Sequence, residues 1–221
     1  MRLTVFNGSP RAKEGSTEIF IRQLLAGFES LEGNSSELFY LKRVHEVEEF
    51  RRAFSEAEAV LLAFPLYCDA MPGIVKAFIE ALEPLCGREG NPLIGFVVQS
   101  GFPEAAHSRH VEQYLEKLAD RLGCVYAGTI VRGNGTSVTV MPPQMTRGLF
   151  RTLRQVGESF GRTGQFDQAM LSKLARPERF SWWMVPVITM RDLPFINFLY
   201  WDSELRKHGG YKRRFARPYA E

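Results

Sequence analysis

Residues Ala59–Phe64 read AVLLAF, six apolar side chains in succession that leave no position for a wet face. A strand of that composition is covered on both sides, which in practice means a parallel sheet sandwiched between helices. The rest of the chain supplies the matching parts. Arg2–Phe6, Ser36–Leu41, Pro92–Gln99 and Cys124–Val131 read as four further strands. Between and after them come helical patterns over Thr17–Ser30, Glu46–Ala57, Pro72–Leu85, Glu104–Leu122 and Gln144–Gly161. Thr17–Ser30 carries Ile19, Phe20, Leu24, Leu25 and Phe28 at helical spacing, and Gly123 stands where a helix C-terminus favours glycine. Strands alternating with helices imply right-handed crossovers and helices on both faces of the sheet.

In such a sheet, ligands bind beyond the carboxyl ends of the strands, where strand order reverses. Three loops of unusual chemistry fall at that edge. The first, after Phe6, reads NGSPRAKEGST. Gly8 and Gly15 permit tight turns, Ser9, Ser16 and Thr17 offer hydroxyls, Arg11 is a permanent cation, and a helix N-terminus follows. Unpaired N–H groups and the positive end of the helix dipole favour an anion there, so the loop reads as a phosphate cradle. The plain alternative is a strand–turn–helix with Ser16 as N-cap. Neither G-x-x-x-x-G-K-[ST] nor G-x-G-x-x-G occurs in it.

The second loop, Pro65-Leu66-Tyr67-Cys68-Asp69-Ala70-Met71-Pro72-Gly73, is rich in rigid and amphipathic residues that can lie against a flat heterocycle. The third, Ser100-Gly101-Phe102-Pro103-Glu104, adds an open glycine and another aromatic ring. Cys68 reads either as a small buried apolar residue or as a thiol beside a redox centre.

With 221 residues, 45% hydrophobic and 24% charged, the chain suits one domain with an appendage. Three cysteines at wide spacing imply no disulfide framework, and with four histidines they form no metal-ligand set. His107 and His110 read as solvated. The first apolar run is too short for a signal peptide, so a cytoplasmic location is expected. From Asp167 onward there are 10 Lys/Arg against 6 Asp/Glu, which places the basic excess in the tail.

On these motifs the chain resembles the flavodoxin-like NAD(P)H-dependent FMN reductases. Gly8-Ser9-Pro10-Arg11 with Gly15-Ser16-Thr17 matches the first-loop pattern G-S-P-R-x-x-x-[SG]-x-T. Pro65, Tyr67, Met71, Pro72 and Gly73 match P-x-Y-x-x-x-M-P-G. The resemblance covers roughly residues 1–161 and implies a five-stranded parallel sheet in a three-layer sandwich. It implies that Ser9, Arg11, Ser16 and Thr17 hold the FMN phosphate, that Pro65, Leu66, Tyr67 and Cys68 line the isoalloxazine ring, and that Ser100, Gly101 and Phe102 close its opposite edge. NAD(P)H is then the co-substrate, and a flavin, quinone or similar small molecule the acceptor. The ring-facing backbone of Leu66 to Cys68 is expected to be the main influence on the ring, with N–H groups near Tyr67 and Cys68 stabilising charge on it and no side chain acting as catalytic acid. Some relatives carry an iron–sulfur cysteine cluster after the second strand; here that stretch is Leu41-Lys42-Arg43-Val44-His45-Glu46, without cysteine. Two other readings remain, a flavodoxin-type electron carrier and a flavin-free binding module. A pI near 8.8 counts against the carrier.

Residues 1–164 are therefore expected to form the FMN-binding domain, and 165–221 a helical, aromatic-rich extension. All three tryptophans lie in the extension, within the apolar stretches Phe180–Met190 and Leu193–Trp201. Arg191, Asp192 and prolines interrupt them, so they do not form a membrane span. They could pack on their own domain, form a homodimer or higher contact, or sit at a lipid surface. No nucleic-acid-binding motif is visible.

Overall fold

Strands β1 (Arg2–Asn7), β2 (Ser35–Tyr40), β3 (Ala59–Pro65), β4 (Leu93–Gln99) and β5 (Val125–Arg132) form one sheet, every pairing parallel, in the order β2-β1-β3-β4-β5. The structure is a computed structural model that describes residues 1–67, 69–184 and 202–217. Helices α1 (Ser16–Phe28), α2 (Val47–Ser55), α3 (Gly73–Ala81), α4 (Arg109–Leu122) and α5 (Pro143–Thr163) follow the strands in turn. Order reverses between β1 and β3, because the chain leaves β1 to one side for β2 and returns to the other for β3.

The alternation of side chains along each strand divides the core into two layers. Along β3, Val60, Leu62 and Phe64 pack on one face with Phe50 and Phe54 of α2, Val75 and Phe78 of α3, and Leu115 of α4. Ala59, Leu61 and Ala63 pack on the other with Phe20, Leu24 and Phe28 of α1 and Leu153, Val156 and Phe160 of α5. All seven β3 residues are buried, as the uninterrupted apolar run requires. Phe6 centres the first layer, its ring 4.6 Å from that of Phe78 and 5.5 Å from that of Phe39.

On the second layer, α1 and α5 cross with their backbones in contact. A Cβ on Gly27 would lie 1.9 Å from the Arg154 carbonyl oxygen, and one on Gly157 1.9 Å from that of Leu24. Only glycine permits that approach, so the two positions fix how closely the helices pack.

Expected and observed elements differ mainly at helix ends. The helix expected over Pro72–Leu85 ends at Ala81 and continues as a 3₁₀ turn, Glu83–Leu85, because Pro84 cannot continue α-helical bonding. The one expected from Glu104 begins with a 3₁₀ turn, Ala105–Ser108, whose first N–H groups donate to Pro177 O and Glu178 O, both at 3.0 Å. Gly123 ends α4 at φ 75°, in the left-handed region.

The chain divides into two compact units, Met1–Arg179 and Phe180–Glu221. Residues 165–179, which the compositional change groups with the extension, belong to the first unit. There α6 (Gln168–Leu174), capped by Asp167 accepting from the Met170 N–H at 2.9 Å, buries Leu171 and Leu174 beside Phe166. Arg132 at the end of β5 donates to the carbonyls of Leu174 and Arg176 at 3.1 and 3.0 Å. Arg109 grips Glu178 through two bonds of 2.9 and 2.6 Å.

In the second unit, α7 (Asp202–Lys207) precedes a 3₁₀ turn at Tyr211–Arg213. The guanidinium groups of Arg206 and Arg214 lie 4.3 and 4.0 Å from the Tyr211 ring centroid. Trp182, Trp183 and Phe215 are exposed. Most of the two apolar stretches of the extension lies outside the described residues.

Candidate active site

The loop after β1 is braced from below by a buried polar chain. Asn7, the last residue of β1, is fully buried; its Oδ1 accepts the Ser9 N–H at 2.9 Å and its Nδ2 donates to Glu18 Oε2 at 3.0 Å. Glu18, in the first turn of α1, also accepts from Arg22 Nε at 2.9 Å and the Tyr40 hydroxyl at 3.2 Å. Burial and the nearby carboxylate push the Tyr40 phenol up, and the bond to Glu18 raises Arg22. Ser9 Oγ in turn accepts the Arg11 N–H at 3.3 Å. The loop's outward path is set by Gly8, whose N–H donates to Ala63 O at 2.8 Å. A Cβ there would meet Val75 Cγ2, on α3, at 2.3 Å.

Above this brace, the loops after β1, β3, β4 and β5 enclose one cleft of about 300 Å³. Ser9, Arg11, Gly15 and Ser16 line one end, and Pro65, Leu66, Tyr67, Gln99, Gly101 and Thr136 the other. An adjoining pocket of about 320 Å³ shares Leu66, Tyr67 and Gly101 and adds Asp69, Ser100 and Phe102. The three loops singled out by their composition thus meet at one edge of the sheet, at the β1/β3 reversal. Such switch points are where ligands bind in open α/β sheets.

Of the residues the resemblance implies, Ser9, Arg11, Ser16, Pro65, Leu66 and Tyr67 line the cleft, and Ser100, Gly101 and Phe102 lie in or beside it. Thr17 is fully buried, its hydroxyl accepts from Gln99 Nε2 at 3.4 Å, and it does not line the cleft. Ser16 is the first helical residue, with Gly15 in the cap position and no side-chain cap. Cys68 lies outside the described residues. Gln99 and Thr136, together with Asn7 and Glu18, were not singled out from sequence.

The backbone donors differ from expectation. Leu66 N–H is bonded to Gln99 O at 2.7 Å, and Tyr67 N–H to Ala70 O at 2.9 Å in a tight antiparallel bridge. Both are engaged by the chain, so neither is left for a ring. Among the described residues, the N–H groups of Gly101 and Phe102 on the opposite loop make no hydrogen bond, nor do those of Ser16 and Thr17. Tyr67 and Phe102 are about half exposed, and the Phe102 ring stacks on His107 at 4.8 Å.

The donor set fits a long ligand with an anionic tail and a flat polar head. One end offers hydroxyls, open helix N–H groups and Arg11; the other offers aromatic faces and open N–H groups. A Cβ on Gly15 would lie 2.7 Å from Ser9 Oγ, closing the cradle. Gln99 Oε1 is buried at the cleft wall with no partner among the described residues, an acceptor awaiting a donor. No group of three or more His, Cys, Asp or Glu among the described residues could hold a metal ion.

The strand order, layers and cleft define a flavodoxin-like α/β protein. The model of one family, described as NADPH-dependent FMN reductase, matches residues 1–135. The chain belongs to that family, as a flavin-dependent oxidoreductase using FMN and NAD(P)H. No curated protein matches it in sequence. Solved structures share the fold. An NAD(P)H:quinone oxidoreductase from Methanothermobacter marburgensis is 13% identical over 72% of this chain and 96% of that one, with TM-score 0.58. An FMN-dependent NADH-azoreductase from Bacillus anthracis, solved with FMN, is 11% identical over 72% and 99%, with TM-score 0.56. The NADH:FMN oxidoreductase EMOB is 15% identical over 80% and 96%, with TM-score 0.56. No helix among the described residues is long and apolar enough to cross a membrane.

Proposed function

We propose that the cleft between the loops after β1, β3 and β4 binds FMN non-covalently. Its phosphate lies against Ser9, Arg11, Ser16 and the N–H groups of Ser16 and Thr17. The ring lies between Pro65–Tyr67 and Ser100–Phe102. The observation that carries this reading is the convergence of three separate loops, one cationic and two aromatic, on one cleft at the strand reversal. Bound FMN supplies the capacity to accept a hydride and release its electrons. The chain's own part is positional and electrostatic. Arg11 and the helix N-terminus neutralise the tail, Leu66 and Tyr67 shape one wall, and the Gly101 and Phe102 N–H groups can donate to ring heteroatoms that gain charge on reduction.

Electrons from NAD(P)H then pass to a small flat acceptor, a flavin, quinone or similar compound. The open pocket between the half-exposed rings of Tyr67 and Phe102 supports such a shape. Two measurements test the reading. Arg11→Ala should weaken FMN binding about tenfold or more, read from flavin fluorescence quenching, as loss of a charge-assisted phosphate contact requires. Anaerobic mixing of the FMN-loaded protein with NADH and NADPH should bleach the flavin absorbance. A chain that takes up no FMN, or whose flavin neither nucleotide bleaches, does not perform this function.

A further inference from the structure

On the outer side of the phosphate loop lies a second pocket, of about 240 Å³, that the FMN site does not use. Its position follows from the sheet order: β2 is the edge strand beside β1, so the turn leaving β2 faces the turn leaving β1. Arg11 and Lys13 approach from the first turn, Lys42 and Arg43 from the second, and the Tyr40 ring forms the floor between them. Tyr40 is held by its bond to Glu18, and Lys13 Nζ sits 5.7 Å from its ring centroid. The acidic groups lining or pairing with the pocket's cations are Glu14, in the pocket wall, and Glu46, 3.5 Å from Arg43; Glu18, beneath Tyr40, is paired with Arg22 at 2.9 Å. Four cations against two carboxylates leave a net positive pocket, and Lys42 makes no ion pair among the described residues.

Only Arg11 lines both this pocket and the flavin cleft. A single flavin phosphate, already met by the hydroxyls and open N–H groups of the loop, leaves Lys13 and Lys42 without a counter-ion, and Arg43 with only its long contact to Glu46. The co-substrate is a longer molecule than the flavin. With its nicotinamide at the ring end, it is long enough for its adenosine half to reach past the phosphate end.

We propose that this pocket receives the 2′-phosphate that NADPH carries and NADH lacks, so that Lys42 and Arg43 set the preference for NADPH. The proposal rests on the FMN placement above. Its test is a calorimetric titration of the FMN-loaded protein with adenosine 2′,5′-bisphosphate and, separately, with adenosine 5′-diphosphate. The bisphosphate should bind about tenfold more tightly or better, as one or two charge-assisted contacts imply. In Lys42→Ala/Arg43→Ala that difference should vanish and the KM for NADPH should rise about tenfold, with FMN affinity and the KM for NADH unchanged. Equal binding of the two nucleotides, or a preference that survives the double substitution, overturns the proposal. So does a fall in FMN affinity in the variant, which would assign these cations to the flavin's own phosphate. Failure of the unsubstituted chain to load FMN, visible in its absorbance before any titration, would overturn both this and the reading beneath it.

Discussion

Asn7→Asp isolates the brace beneath the loop after β1, because it leaves shape and packing unchanged. The remaining oxygen still accepts the Ser9 N–H, but the donor 3.0 Å from Glu18 becomes a second acceptor. Two carboxylates then face one another where Asn7 is fully buried and Glu18 is 8% exposed. An uncompensated buried charge costs about 3–5 kcal/mol. Against a total stability of about 5–15 kcal/mol that is a large fraction. The sign of the pH dependence follows from the same contact. The folded variant can relieve the repulsion only by holding a proton, which the unfolded chain releases more readily. Its deficit relative to the unsubstituted protein should therefore shrink as pH falls from 7.5 toward about 5. Asn7→Ala is the control: it strands the buried Ser9 N–H and takes one donor from Glu18, at a cost of about 1–3 kcal/mol, but adds no second carboxylate, so its pH dependence should be the weaker of the two. Urea unfolding followed by circular dichroism at both pH values measures all three proteins. A deficit for Asn7→Asp below about 1 kcal/mol, or one equal at the two pH values, would refute the bridge.

Two further outcomes follow from packing and burial. Gly157→Ala forces a methyl onto the Leu24 carbonyl and should cost about 3 kcal/mol, whereas Gly148→Ala, on the same helix with open space around it, should be neutral or slightly stabilising. Equal thermal shifts for the two would contradict the α1–α5 contact. Burial pushes the Cys124 thiol up to about 12, while Cys86 is exposed, so peptide mapping after brief iodoacetamide treatment at pH 8 should find Cys86 modified and Cys124 intact. Comparable labelling of both before unfolding would place Cys124 wrongly.

Much of the fold was legible because it is written in local patterns. The AVLLAF run is β3, the Thr17–Ser30 stripe is α1, and Gly123 ends α4 where its position suggested. The cleft was legible only as three loops of odd composition; that they meet follows from strand order. What escaped was long-range. Asn7 and Glu18 look like an ordinary strand end and a helix surface residue until the fold brings them within 3.0 Å. Gln99 reads as the polar end of a strand, yet it reaches Thr17 across the sheet edge. The engagement of the Leu66 and Tyr67 N–H groups arises from pairing with β4 and from the bridge to Ala70, neither of which composition encodes. Residues 165–179 changed character in the sequence but stayed with the first unit, because Phe166, Leu171 and Leu174 complete its second layer.

The absent side chain of Gly8 ties the cationic end of the cleft to Val75, on the helix that follows the aromatic loop. The two ends are therefore held at one separation, like the fixed jaws of a gauge and not those of a vice. If the cleft holds FMN as proposed, a flavin with a shorter tail would leave one jaw untouched, and a bulkier one could not spread them without unseating α3 from the sheet. On that proposal, selectivity for tail length would follow from a clearance of one missing methyl group, well away from any atom that reacts.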